Sequence, residues 1–65
     1  MIVIVNEEQM QVDEATTVAG LLESLGYPHR GIAVALDHTV LPRSGWATIL
    51  CDGARLEVVT AVQGG

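Results

Sequence analysis

The sequence contains no lysine and no phenylalanine, a single cysteine, one tryptophan, one tyrosine, and 3 basic residues against 8 acidic ones. The lone Cys51 excludes an intramolecular disulfide framework, and it cannot make a Cys-based zinc site by itself. A net charge of −5 and a pI near 4.5 argue against a nucleic-acid backbone or an anionic membrane surface as partner. They favour solubility and attraction to basic protein surfaces. The apolar run Met1 to Val5 has no basic flank and is too short for a signal peptide or a membrane span, so a cytoplasmic location is expected. Length is scarce too. Ordering 65 residues costs on the order of 100 kcal/mol, at roughly 1.5 kcal/mol each. A domain of this size hides only about 60% of its unfolded surface, so nearly every apolar residue must serve the core. A buried active site with its own lid and cofactor pocket is hard to fit, and a self-contained enzyme is not expected.

What is present reads as one α+β domain. Ile2 to Val5 is β-branched, Asn6-Glu7-Glu8 is polar enough to turn the chain, and Gln9 to Val12 alternates, which predicts an N-terminal hairpin. Thr17 is a suitable N-cap, and Val18, Leu21, Leu22 and Leu25 form one stripe of an amphipathic helix. Gly26 stands where a residue with positive φ ends a helix, and Pro28 prevents a restart. So short a helix must lie on a sheet. Ile32 to Leu36 predicts a strand ended by a turn at Asp37-His38-Thr39, and Pro42 confines Val40-Leu41-Pro42 to an edge. Ser44 is expected to cap a brief helical turn carrying Trp46. Asp52-Gly53 is a turn signal, and Arg55 to Thr60 alternates as the last strand.

No set of side chains looks catalytic. His29 and His38 lack the patterned Cys, Asp or Glu that would complete a metal site, so none is expected and both read as surface histidines. Cys51 reads as a small packing residue near a strand rather than a nucleophile paired with histidine. Glu7-Glu8 and Asp13-Glu14 read as solvated turns, and the glycines form neither GxGxxG nor a P-loop. The end of the sequence, Ala61-Val62-Gln63-Gly64-Gly65, stands apart. With glycine at about 7% of residues, a terminal Gly-Gly arises by chance about once in 200 chains. It reads either as an unselected frayed tail or as a carboxylate presented on an arm without side chains. From Val62 to Gly65 the arm reaches at most about 13 Å, and glycine lets a narrow channel close around the backbone.

The ββαβ(short)β order with a C-terminal Gly-Gly resembles the ubiquitin-like β-grasp fold. Within that fold, Asn6, Thr17-Val18 with Leu21-Leu22, and Gly31-Ile32-Ala33-Val34-Ala35 are similar to the ThiS family of sulfur carriers of thiamine (thiazole) biosynthesis. So are Leu41-Pro42-Arg43 followed by Trp46, Leu50 with Asp52-Gly53, and Val62-Gln63-Gly64-Gly65. The Pro-Arg then Trp element separates this family from its molybdopterin-synthase cousin, MoaD. Two positions depart from the pattern: Asp37 stands where Asn is usual, and Ala54 where a second Asp is common. Both are read as turn positions that affect local geometry and leave the chemistry untouched.

The resemblance implies a mixed four- to five-stranded sheet with one main helix across it over residues 1–61, and a flexible tail at 62–65. It implies that Gly65 is adenylated by an E1-like enzyme of the ThiF type, which uses ATP, and is then converted to a thiocarboxylate with sulfur from a donor enzyme. The thiocarboxylate delivers sulfur to thiazole synthase of the ThiG type. Val62, Gln63 and Gly64 would thread into the partners' active sites. The chain itself would bind no cofactor and act as a protein co-substrate, not an enzyme. A carrier for molybdopterin or cysteine synthesis, a ubiquitin-like protein modifier, and a plain interaction domain with an irrelevant tail remain open. The absence of lysine leaves an activated tail no lysine of its own chain to acylate, although a genome preferring Arg codons accounts for it equally well.

Alternation sends Val3, Val5, Val34, Leu36, Leu56 and Val58 inward to meet Val18, Leu21, Leu22 and Leu25. Ile4, Ala35 and Val59 then face outward and, with Glu57, form a candidate docking patch for basic partner surfaces. Trp46 is expected to close the core.

Overall fold

The computed structural model describes residues 1–28 and 30–60. Its elements are β1 (Ile2–Val5), β2 (Glu8–Gln11), α1 (Val18–Ser24), β3 (Ile32–Leu36), β4 (Thr39–Val40), a 3-10 turn at Arg43–Gly45, and β5 (Arg55–Thr60). The strands form one mixed sheet in the order β2-β1-β5-β3-β4, with β5 central, parallel to β1 and antiparallel to β3. This is the expected α+β architecture at the upper end of the expected strand count.

Both hairpins close through two-residue turns. Asn6 and Glu7 have φ of 49° and 69°, and Asp37 and His38 have 50° and 71°, the paired positive values of a type I′ turn. Asn and Asp tolerate this left-handed region because their short side chains bond locally, so Asp37 in place of Asn keeps the turn. Its Oδ1 also accepts the Arg55 N–H at 3.0 Å, tying the turn to the start of β5. Thr39 belongs to β4 rather than to the turn, since Leu36 pairs directly with Thr39.

Helix α1 starts and ends where local chemistry dictates. Thr17 is extended, and its Oγ1 accepts the Gly20 N–H at 3.0 Å. The next free donors, Val18 N–H and Ala19 N–H, reach the carbonyls of Thr48 and Trp46. At the other end Gly26 has φ 84°, Gly26 N–H bonds to Glu23 O and Tyr27 N–H to Leu22 O, which together make a Schellman motif. The helical stripe ends one turn earlier than expected. Leu25 is the C-cap and is 38% exposed, because the chain has already turned away from the sheet there.

Val3, Val5, Val18, Leu21, Leu22, Val34, Leu56 and Val58 are buried as expected, whereas Leu36, next to the hairpin turn, is only half-buried. Leu50 and Ala54 complete the core from the irregular segment before β5. Ala54 is thus a core residue, not a solvent-facing turn position. It follows a tight turn in which Ala54 N–H bonds to Cys51 O and Gly53 takes φ 85°. Trp46 closes one end, 9% exposed, with its Nε1 donating to Leu41 O at 3.4 Å and the Arg43 guanidinium 5.5 Å from its ring. Pro42, not Ser44, precedes the 3-10 turn, and no side chain caps it. Among the described residues no helix is long and apolar enough to cross a membrane.

Candidate functional site

The face of the sheet away from α1 is built by alternation. In β3 the inward Ile32, Val34 and Leu36 alternate with the outward Ala33 and Ala35, and the pairing extends this face across the neighbouring strands. Ala33 lies opposite Val59, while Ala35 lies opposite Glu57 on one side and Val40 on the other. Two methyl side chains between taller neighbours leave an apolar trough of about 260 Å³ lined by Ala33, Val34, Ala35, Val40, Glu57 and Val59. Val40 and Val59 stand at its sides, 75% and 64% exposed. Exposed valines at this density around a hollow are unfavourable in water and suit a surface that a partner covers.

Of the expected patch, Ala35, Glu57 and Val59 come together here. Ile4 shares the face but pairs with Arg55 on the far side of β5 and does not line the trough. Ala33 and Val40 are additions. Ala33 follows from the same alternation as Ala35, but Val40 follows only once the turn length is known, because the turn sets its register.

Glu57 gives the trough its charge. Its Oε1 lies 3.8 Å from His38 Nδ1, an exposed contact that becomes an ion pair only when the imidazole is protonated. Solvent screening leaves such a contact a minor part of stability.

The route out of the fold runs along β5. At its start Ile2 N–H donates to Asp52 Oδ1 and Gly53 N–H to Ile2 O, which fixes β5 against β1. Further along, Ile4 N–H bonds to Ala54 O and Asn6 N–H to Leu56 O. Beyond Asn6 the main chain of β1 turns away, and the Asn6 carboxamide takes over. Its Oδ1 accepts the Val58 N–H at 2.8 Å, and its Nδ2 lies 3.3 Å from both Val58 O and Tyr27 Oη. The N–H donor at 2.8 Å requires an acceptor, which settles which end of the amide is oxygen.

Val62, Gln63, Gly64 and Gly65, with the domain boundary after residue 61, lie outside the described residues, as does His29. Cys51 is exposed rather than packed, because it opens the surface turn at Asp52-Gly53. No group of three or more His, Cys, Asp or Glu that could hold a metal ion occurs among the described residues, and none of their polar side chains is buried. A larger hollow, about 470 Å³, lies between α1 and the chain after β2. Two of its three hydroxyls are already engaged, Thr17 Oγ1 in the helix cap and Ser24 Oγ with Leu21 O. The smaller trough on β3 and β5 is therefore the better candidate for recognition.

Residues 3–65 match the ThiS family. The chain is 33% identical over 66 residues to the sulfur carrier protein ThiS of Escherichia coli, an alignment spanning all of both chains. It is also 33% identical over 66 residues to a thiazole synthase of Paramagnetospirillum magneticum, of which it spans 20%. Among solved structures it is similar to the thiamine biosynthesis protein ThiS of Geobacter metallireducens. There the TM-score is 0.81 with 32% identity, and the match covers all of both chains.

Proposed function

The chain belongs to the ThiS family, and from that membership we propose that it is a sulfur carrier of thiamine biosynthesis whose working group is the carboxylate of Gly65. The observation that carries this reading is the family match, which runs through Gly64-Gly65 to the last residue. The similarity to a segment of a thiazole synthase supports thiazole synthase as the acceptor of the sulfur.

In this reading a ThiF-type enzyme supplies the catalytic power. A carboxylate is a poor acyl donor because oxide would have to leave. Attack of a Gly65 carboxylate oxygen on the α-phosphorus of ATP expels pyrophosphate and gives an acyl-adenylate. Hydrosulfide released by a donor enzyme then adds at the acyl carbon, AMP leaves with the acyl–oxygen bond electrons, and loss of the S–H proton gives the thiocarboxylate. Positioning of phosphates and metal belongs to the adenylating enzyme. The chain contributes a compact grip and a narrow arm, because glycine at 64 and 65 leaves no Cβ to crowd the reacting carbonyl. The trough around Ala35, Val40, Glu57 and Val59, with Ile4 beside it, is the grip: an apolar floor with an acidic wall, fitted to a partner that is apolar at the centre and basic at the rim.

ATP–pyrophosphate exchange with a ThiF-type enzyme tests the first step. Exchange that depends on the chain and disappears when Gly65 is deleted, with the fold intact by circular dichroism, is the expected result. Exchange that persists without Gly64-Gly65 would assign the chemistry elsewhere and leave a plain interaction domain.

A further inference from the structure

We infer that Asn6 is a positioning residue for the reaction at Gly65: its carboxamide replaces the missing stretch of β1 and fixes the point from which the reactive arm departs. The inference rests on the reading that Gly65 is the activated group. Parallel pairing of β1 with β5 comprises only Ile4 with Arg55 and Val5 with Leu56. Past Val5 the main chain turns back into the hairpin, with Asn6 at φ 49°. A continuing ladder would have paired Val58 N–H and C=O, which face β1, with β1 main chain; because β1 turns away, they would be left unpaired without a side-chain substitute. The Asn6 side chain presents one acceptor and one donor in the order a peptide group would, and it takes both. Its second amide hydrogen is directed to Tyr27 Oη, next to the helix C-terminus, so the carboxamide is held from two sides.

The consequence lies downstream. Val58 lies opposite Val34 between Glu57 and Val59, which pair with Ala35 and Ala33 of β3, and its own N–H and C=O are held by Asn6 on the other edge. From Val58 to Gly65 the fully extended chain spans about 25 Å. Loosening one side of its root widens the set of directions from which the carboxylate arrives, while the pairing of Glu57 and Val59 with Ala35 and Ala33 on the other edge, which builds the trough, is not touched. Such a defect lowers the rate of the bound complex more than its formation, because reactivity depends on geometry held to about 1 Å.

Two variants separate the parts. Asn6→Gly keeps the positive φ but removes the carboxamide. Asn6→Asp keeps the acceptor for Val58 N–H but sets a second oxygen against Val58 O. The measurements are the thermal melt, hydrogen exchange at the Val58 amide, and kcat and KM for chain-dependent adenylation, read well below the melting temperature. Both variants are expected to stay folded and to lower kcat about tenfold, with KM within about twofold. Val58 exchange should accelerate by about tenfold in Asn6→Gly and less in Asn6→Asp. A kcat equal to that of the unsubstituted chain in either folded variant overturns the inference, as does an effect confined to KM or to the melting temperature. If Asn6→Gly does not fold, Asn6→Asp decides alone. Failure of the parent reading looks different: the unsubstituted chain itself would support no adenylation.

Discussion

Replacing Val59 by Asp strikes the wall of the trough without touching the core. Val59 is 64% exposed, and burying a whole valine side chain gains about 1.5–3 kcal/mol. A partner that covers the remaining two-thirds therefore gains about 1–2 kcal/mol from this residue. Val59→Ala forfeits most of that, about 5- to 30-fold in Kd. Val59→Asp goes further. It buries a carboxylate two positions along the same face from Glu57, and the desolvation and like-charge repulsion weaken binding by more than about 100-fold. The fold should hardly respond, because substitution at an exposed strand position changes stability by at most about 1 kcal/mol. The assay is calorimetric titration against the ThiF-type enzyme and thiazole synthase, beside a thermal melt. A folded Val59→Asp chain that binds both partners within twofold of the unsubstituted affinity refutes the assignment of this face.

Glu7→Gly supplies the residue that tolerates φ 69° best at the second turn position, after Asn6. It should stabilise the domain by about 1 kcal/mol and raise Tm by about 4–8 °C in a thermal melt. Leu56→Ala opens a cavity at a fully buried centre of the core. Its cost of about 2–5 kcal/mol rivals the whole stability of so small a domain, so circular dichroism should show it largely unfolded at 37 °C. Thr17→Ala removes the acceptor for Gly20 N–H, and denaturant titration should show a loss of about 1 kcal/mol.

The regular elements were legible because each carries its own local signal. Thr17 and Gly26 bracket α1, and the alternation in Ile32 to Leu36 and Arg55 to Thr60 places the strands and their inward faces. The stretch between β4 and β5 was harder to read. Leu50 and Ala54 are buried there because Leu50 N–H reaches Thr16 O, and Gly53 N–H and the Asp52 carboxylate reach Ile2, contacts between segments far apart in sequence. No periodicity announces them. The same long-range bonding places Cys51 on a surface turn, where a small thiol beside a strand reads locally as packing. For the trough, alternation alone puts Ala35, Glu57 and Val59 on one face. Val40 joins them through the register of a two-residue turn, whereas Ile4 pairs with Arg55, two residues short of Glu57 along β5, and lies outside the trough. The clamp at Asn6 was invisible at the sequence level, since an Asn in a turn has a sufficient local reason to be there.

If Gly65 is a chemical carrier, its carboxylate must change mass, and intact-mass spectrometry reads that change. The chain is incubated with ATP, the ThiF-type enzyme and a sulfur source, and its mass and C-terminal fragment are read before and after. One oxygen should be exchanged for one sulfur, the change should localise to Gly65, and added thiazole synthase with its substrates should reverse it. A chain whose mass never changes under these conditions, or whose added mass maps to another residue, contradicts the carrier role.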